Sequence, residues 1–314
     1  MLLSRGLAWQ MLYMGQPADA RAILTKEQKM KIAKLSALTS ALLVGGLMAT
    51  SANAFFLYQN TRLEDDNMEK LNIDLNSNGL LDIGDSLRGV VEINTLVDIN
   101  SPAQQNSLSP ELTGIFEVVV TGKVATATPG LFNYTFGAVA GGVNGLGAGT
   151  AIAFYTGGTD LVIPGCASIA QCEADATTGG GGSLWMTLGF ADADDEWKTG
   201  LGGAPENTNL LGVPQGVGIG TFLYSLSVLT NNTGYTINDQ ALTCIPGLLY
   251  NCAGDGRTDI VGSGSIQGAQ GVTNGYTSTS DFQYQMNVVP EPGTIALLGM
   301  GLLGLGWSAR RRAS

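Results

Sequence analysis

The chain has 314 residues, 45 of them glycine, with only 13% charged residues and no histidine. Without imidazole, Ser-His-Asp and Cys-His catalysis and histidine-based metal centres are excluded. Charge is unevenly placed: residues 55–292 hold six basic and 24 acidic side chains, a net of −18, against −11 for the whole chain. Such a body is repelled by nucleic acid and anionic lipid and attracts cations.

Residues 30–54, "MKIAKLSALTSALLVGGLMATSANA", have the three parts of a secretory signal peptide. Lys31 and Lys34 form the basic region, an apolar stretch comes next, and Ala52-Asn53-Ala54 is an A-x-A cleavage site. Met30 then stands where an initiator would, and residues 1–29 are an upstream extension or, alternatively, a long basic region.

"DLNSNGLLDIGD", residues 74–85, fits the twelve-residue EF-hand loop pattern. Asp74, Asn76 and Asn78 take positions 1, 3 and 5, and Gly79 takes the sharp turn. The Leu80 carbonyl takes position 7, Asp82 position 9 and Asp85 position 12. Oxygen ligands at this spacing suit Ca²⁺ in a loop-ordering role, and an Asx-rich turn without metal is the other reading. The loop resembles those of dockerin modules, which carry two such loops with helices. Here there is one, and "SLRGVVEINTLV" after it reads as strand, so the resemblance implies the ion chemistry and not the dockerin function.

Period-2 alternation marks strands along the rest of the body. "GIFEVVVTGKVATAT" puts Phe116, Val118 and Val120 on one face. "TFLYSLSVL" does the same for Phe222, Tyr224, Leu226 and Val228, and "DFQYQMNVV" for Phe282, Tyr284, Met286 and Val288. "GVVEINTLVDI", "LFNYTFGAV", "TAIAFYTGG" and "SLWMTLGFA" complete the set. Residues 101–111, 141–149, 177–182 and 200–220 read as loops. The expectation is an all-β fold: one β-sandwich-like domain over 55–287, jelly-roll or Ig-like, with long Gly-rich loops. A signal helix and a short C-terminal transmembrane helix would flank it.

The four cysteines fall into two close pairs, Cys166 with Cys172 and Cys244 with Cys252. An oxidising periplasm favours disulfides; of three possible pairings, local pairing is the simplest, and a four-thiolate zinc site is the alternative. "DADDEW", residues 192–197, reads as a solvated acidic loop, with a cation site as the other reading. Trp185 and Trp197 are either core or sugar-stacking residues.

The chain closes with Pro290-Glu291-Pro292, an apolar run and Arg310, Arg311 and Arg312. The 14 uncharged residues 294–307 would span about 21 Å as a helix, short of the ~30 Å hydrocarbon core. The arginines would stop on the cytoplasmic side, leaving the body outside. This order resembles the PEP-CTERM sorting signal, here over 288–314. The resemblance implies export through the inner membrane of a Gram-negative bacterium, transient retention there by the tail, and processing by exosortase, a membrane transpeptidase-like cysteine protease. It further implies a non-enzymatic surface or matrix protein accompanying exopolysaccharide or other surface glycans in biofilm or floc. A calcium-dependent, lectin-like carbohydrate binder is the alternative, and a polysaccharide hydrolase a third reading for which no carboxylate pair stands out.

Overall fold

Alternation along the last strand shows how the chain is built. The computed structural model describes residues 57–290, apart from 164, 246–248 and 251. In β14 (Ser278–Pro290), Phe282, Tyr284, Met286 and Val288 are each at most 3% exposed, while the residues between them face outward. The same alternation opens β1 (Asn60–Ile73), while β2 (Ser86–Asp98) and β3 (Gln105–Ala125) contain runs of consecutive buried residues. It returns in β4 (Leu131–Ala138) and β7 (Glu196–Thr199), whereas β5 (Thr150–Thr156) and β6 (Ser183–Gly189) are buried along most of their length. The two-residue β8 (Ala204–Pro205) precedes β9 (Gly218–Asn231) and β10 (Tyr235–Asn238). A small ribbon of β11 (Gln240–Ala241) and β12 (Arg257–Thr258) then leads to β13 (Ile260–Gln267).

The all-β expectation holds, but the sandwich does not. The sheet closes on itself as an eight-stranded antiparallel barrel in the order β14-β1-β2-β3-β5-β6-β9-β13. Closure is made by β13, which pairs β14 on one edge and β9 on the other. A sandwich leaves sheet edges; this ring removes them. Between β3 and β9 the wall is doubled along its length. β3 pairs β5 through residues 112–116 and β4 through 118–125, and β9 pairs β7 and then β6. Residues 101–111, expected as loop, instead enter β3 at Gln105.

The interior is filled. Phe116, Phe136, Trp197, Phe222, Tyr224, Phe282 and Tyr284 form one network of ring contacts at 5.3–6.4 Å between centroids. Each such ring contributes roughly 1.5–3 kcal/mol of apolar burial. The rings fit because β13 presents Gly262 and Gly264 to them. A Cβ on Gly264 would stand 1.7 Å from the Phe282 ring, and one on Gly262 2.0 Å from that of Tyr224. Two voids between these rings and Glu69 measure about 20 and 10 Å³, room for a water at most.

Outside the wall, a second cluster joins Met68 of β1 and Val90 of β2 to Leu161, Cys172, Ala176 and Tyr276. It is covered by the helix α1 (Ile169–Asp175), capped by the Ser168 hydroxyl, which accepts from the Gln171 N–H. Arg88 of β2 ties this helix to the barrel, pairing with Glu117 at 2.9 Å and with Glu173 at 2.8 Å. Among the described residues no helix is long and apolar enough to cross a membrane. The expected signal helix and C-terminal helix lie outside the described residues.

Candidate functional site

Loop 74–85 joins β1 to β2 at one end of the barrel, and short-range hydrogen bonds shape it. Asp74 accepts from the Gly79 N–H at 2.8 Å, and Asn78 Oδ1 from the Leu80 N–H at 2.7 Å. Gly79 has φ +73°, the left-handed turn that position requires. Asn76 and Asn78 both donate through Nδ2 to Asp82 at 2.9 Å. Asp85, fully buried, accepts from the Leu75 and Asp82 N–H groups at 2.9 and 2.8 Å and so closes the loop as a clasp. Leu80 bridges to Asn207.

Sequence spacing did not reveal Lys123. Its ammonium lies 2.7 Å from Asp82 and 2.9 Å from Glu206. Hydrogen bonds from Lys123, and then from Asn76 and Asn78, hold the Asp82 carboxyl down at about 2. In sequence the loop offers oxygen donors in the order a hard cation takes. However, Lys123 already supplies positive charge to Asp82, and Asp85 has both oxygens committed to backbone. Both amides are held this way round, since Asn76 Oδ1 accepts from the Asn78 N–H and Asn78 Oδ1 from the Leu80 N–H. Among the described residues, no three acidic or cysteine side chains converge as a metal centre.

Two acids that the sequence left unremarked point inward from β1. Asp65, 4% exposed, accepts from the Phe282 N–H at 2.6 Å and from Asn67 Nδ2 at 3.1 Å, where the β1–β14 ladder is interrupted. Burial pushes its carboxyl well above the usual range despite those bonds. Glu69 accepts from the Ser280 hydroxyl at 2.9 Å, and burial raises it to about 7. Both side chains face the filled interior, with no room beside them for a substrate.

In the 192–197 segment, Asp194 is buried rather than solvated. It accepts from the Gly256 and Arg257 N–H groups at 2.8 and 3.2 Å and fixes that turn. Trp185 and Trp197 are each 3% exposed, so neither offers a face for sugar stacking. Cys166 is bonded to Cys172 and Cys244 to Cys252, with Cα separations of 5.4 and 5.6 Å. No free thiolate remains among the described residues, so the zinc alternative is set aside. Two surface depressions of about 450 and 560 Å³ share Gly200 and Leu201; the first mixes Leu201, Phe222, Leu223 and Leu249 with Gly, Ser and Thr, and the second is lined mostly by Thr, Gly and Asn.

The sorting segment begins inside the fold. β14 runs to Pro290, three residues past the domain boundary expected at 287. Glu291, Pro292, Arg310, Arg311 and Arg312, like Ala52 and Ala54, lie outside the described residues. Comparison with protein families finds the PEP-CTERM protein-sorting motif at residues 288–312. No curated protein and no solved structure matches the chain. The motif marks an exosortase-sorted surface protein, exported and sorted to the surface or held at the membrane in a Gram-negative bacterium.

Proposed function

For an exosortase-sorted surface protein, we propose a non-enzymatic role in the extracellular matrix, associated with exopolysaccharide and supporting biofilm or floc. The observation that carries this reading is the sorting motif set directly on the end of a barrel. The barrel supports it in two ways. Its interior is occupied by its own aromatic rings, and its buried acids are engaged in holding strands and turns. The body is strongly acidic, and the 560 Å³ depression on its outer wall is lined by Thr, Asn and Gly, a surface suited to a hydrated polymer layer.

Loop 74–85 supports a secondary role for Ca²⁺ in ordering that end of the barrel at millimolar external concentration. Asp74, Asn76, Asn78 and the Leu80 carbonyl would hold the ion, with Asp82 beyond them. The lectin-like alternative has this loop as its only remaining support, since both tryptophans are core.

The test has two arms. Intact-mass measurement of surface-extracted protein should find a chain lacking the residues through Arg312, and deletion of the gene should reduce floc or biofilm. Mature protein that turns over polysaccharide, or a deletion strain with normal aggregation, would refute the matrix role. A chain still ending beyond Arg312 would refute processing.

A further inference from the structure

The sorting motif and the barrel overlap. The motif starts at residue 288, yet β14 continues to Pro290. Residues 287–290 are all held by β10, and residues 287 and 288 are held on the opposite edge as well. On one edge β10 pairs in register, Tyr235 with Pro290, Thr236 with Val289, Ile237 with Val288 and Asn238 with Asn287. On the other edge Asn60 pairs with Asn287, and the Val288 N–H donates to the Gln59 carbonyl at 2.8 Å. Val288 itself is 1% exposed and belongs to the core. The start of the described chain lies at this same barrel end. Leu57 is buried, and its N–H reaches the Tyr235 hydroxyl at 3.4 Å. Glu291 and Pro292 therefore come after a paired strand with no spacer.

A protease takes its substrate as an extended, unpaired segment. Residues zipped to β10, and at 287 and 288 to both neighbours, cannot also be gripped as a free segment, so the residues before the cut must first leave the sheet. We propose that β10 is a gate on tail removal: residues 287–290 must unzip from β10 before exosortase can engage the motif. Folding and processing then compete for the same residues, and the measured processing rate is scaled by the fraction of chains with this end open. The gate rests on the proposed exosortase processing of the motif, and the experiment separates the two.

Thr236 and Val289 are directly paired, so Thr236→Cys with Val289→Cys places a cross-strand disulfide between β10 and β14. Full-length protein is expressed in a strain carrying exosortase, and tail removal is followed by intact mass, with each single cysteine variant as control. In the oxidised double variant, processing is expected to fall about tenfold or more, and reductant should restore it. Inserting a six-residue Gly-Ser spacer between Val289 and Pro290, about 20 Å when extended, should restore processing even when the lock is closed. Equal processing of locked and unlocked protein overturns the gate. A locked protein that the spacer fails to rescue overturns it too, since the lock then acts by some other route. If wild type keeps its tail in the exosortase strain and loses none relative to a strain without the enzyme, the processing reading itself fails.

Discussion

Glu69→Gln tests the electrostatics of the barrel interior with one atom exchanged. Glu69 is 4% exposed, and one of its carboxylate oxygens has no hydrogen-bond partner. Burial raises its pKa from the ordinary 4.5 to about 7, against the opposing hydroxyls of Ser280 and Ser278. The folded value lies above the unfolded one, so protonation favours the fold. That contribution is complete below pH 4.5 and is lost as pH rises through 7. At 1.36 kcal/mol per unit, the loss is about 3 kcal/mol, or roughly 6–12 °C in Tm for a domain of this size. Thermal unfolding of the mature protein at pH 5 and pH 8 reads it directly. Wild type and Glu69→Gln should unfold at similar temperatures at pH 5, with the variant higher at pH 8 by most of that amount. Parallel curves, with the same gap at both pH values, would refute the buried-charge assignment. Asp65 titrates in the same sense and remains in both proteins, so it cancels from the comparison.

Gly264→Val should be among the most damaging single changes, because its side chain meets the Phe282 ring and the Asp281 carbonyl; a loss of more than about 3 kcal/mol in denaturant unfolding is expected, and a wild-type midpoint would contradict the closure geometry. Asp66 faces Glu92 directly across β1 and β2, and burial with its acidic neighbours raises Glu92 to about 7. Asp66→Asn should therefore raise Tm at pH 8 by roughly 1–4 °C and by less at pH 5. Replacing Cys166 and Cys172 together by alanine opens a short loop beside α1, and a cost of about 2–3 kcal/mol should appear as a lower chemical midpoint. Millimolar Ca²⁺ should raise the Tm of wild type and leave Asp74→Ala unmoved; chelator without effect on either would remove calcium from the proposed function.

Much of the wall is legible in the sequence. Phe282, Tyr284, Met286 and Val288, and likewise Phe222, Tyr224, Leu226 and Val228, can be placed on one face because alternation in a strand is a local property of the chain. Of the eight barrel strands, the two that are not legible are the ones that decide the architecture. β1, "NTRLEDDNMEKLNI", is dense with charge, and β13, "IVGSGSIQ", is dense with Gly and Ser. Both look like loop. Without them the remaining strands form open sheets, which is why the alternation alone leads to a sandwich.

The candidate site divides in the same way. The oxygen spacing of loop 74–85 is written in twelve consecutive residues, but Lys123 and Glu206 reach it from elsewhere in the chain. Asp65, Glu69 and Asp194 read as surface acids until neighbouring strands and turns enclose them. The sequence alone determined the sorting address, since a motif read by an enzyme is a linear pattern. It also determined the all-β class, since side-chain periodicity needs no partner. Only the tertiary structure decided that the sheet closes, because a period of two is the same in a sandwich face and a barrel wall. Glycines at 262 and 264 can be counted in any sequence. That they make room for the Tyr224 and Phe282 rings, and so let β13 complete the barrel, depends on which strands stand beside them.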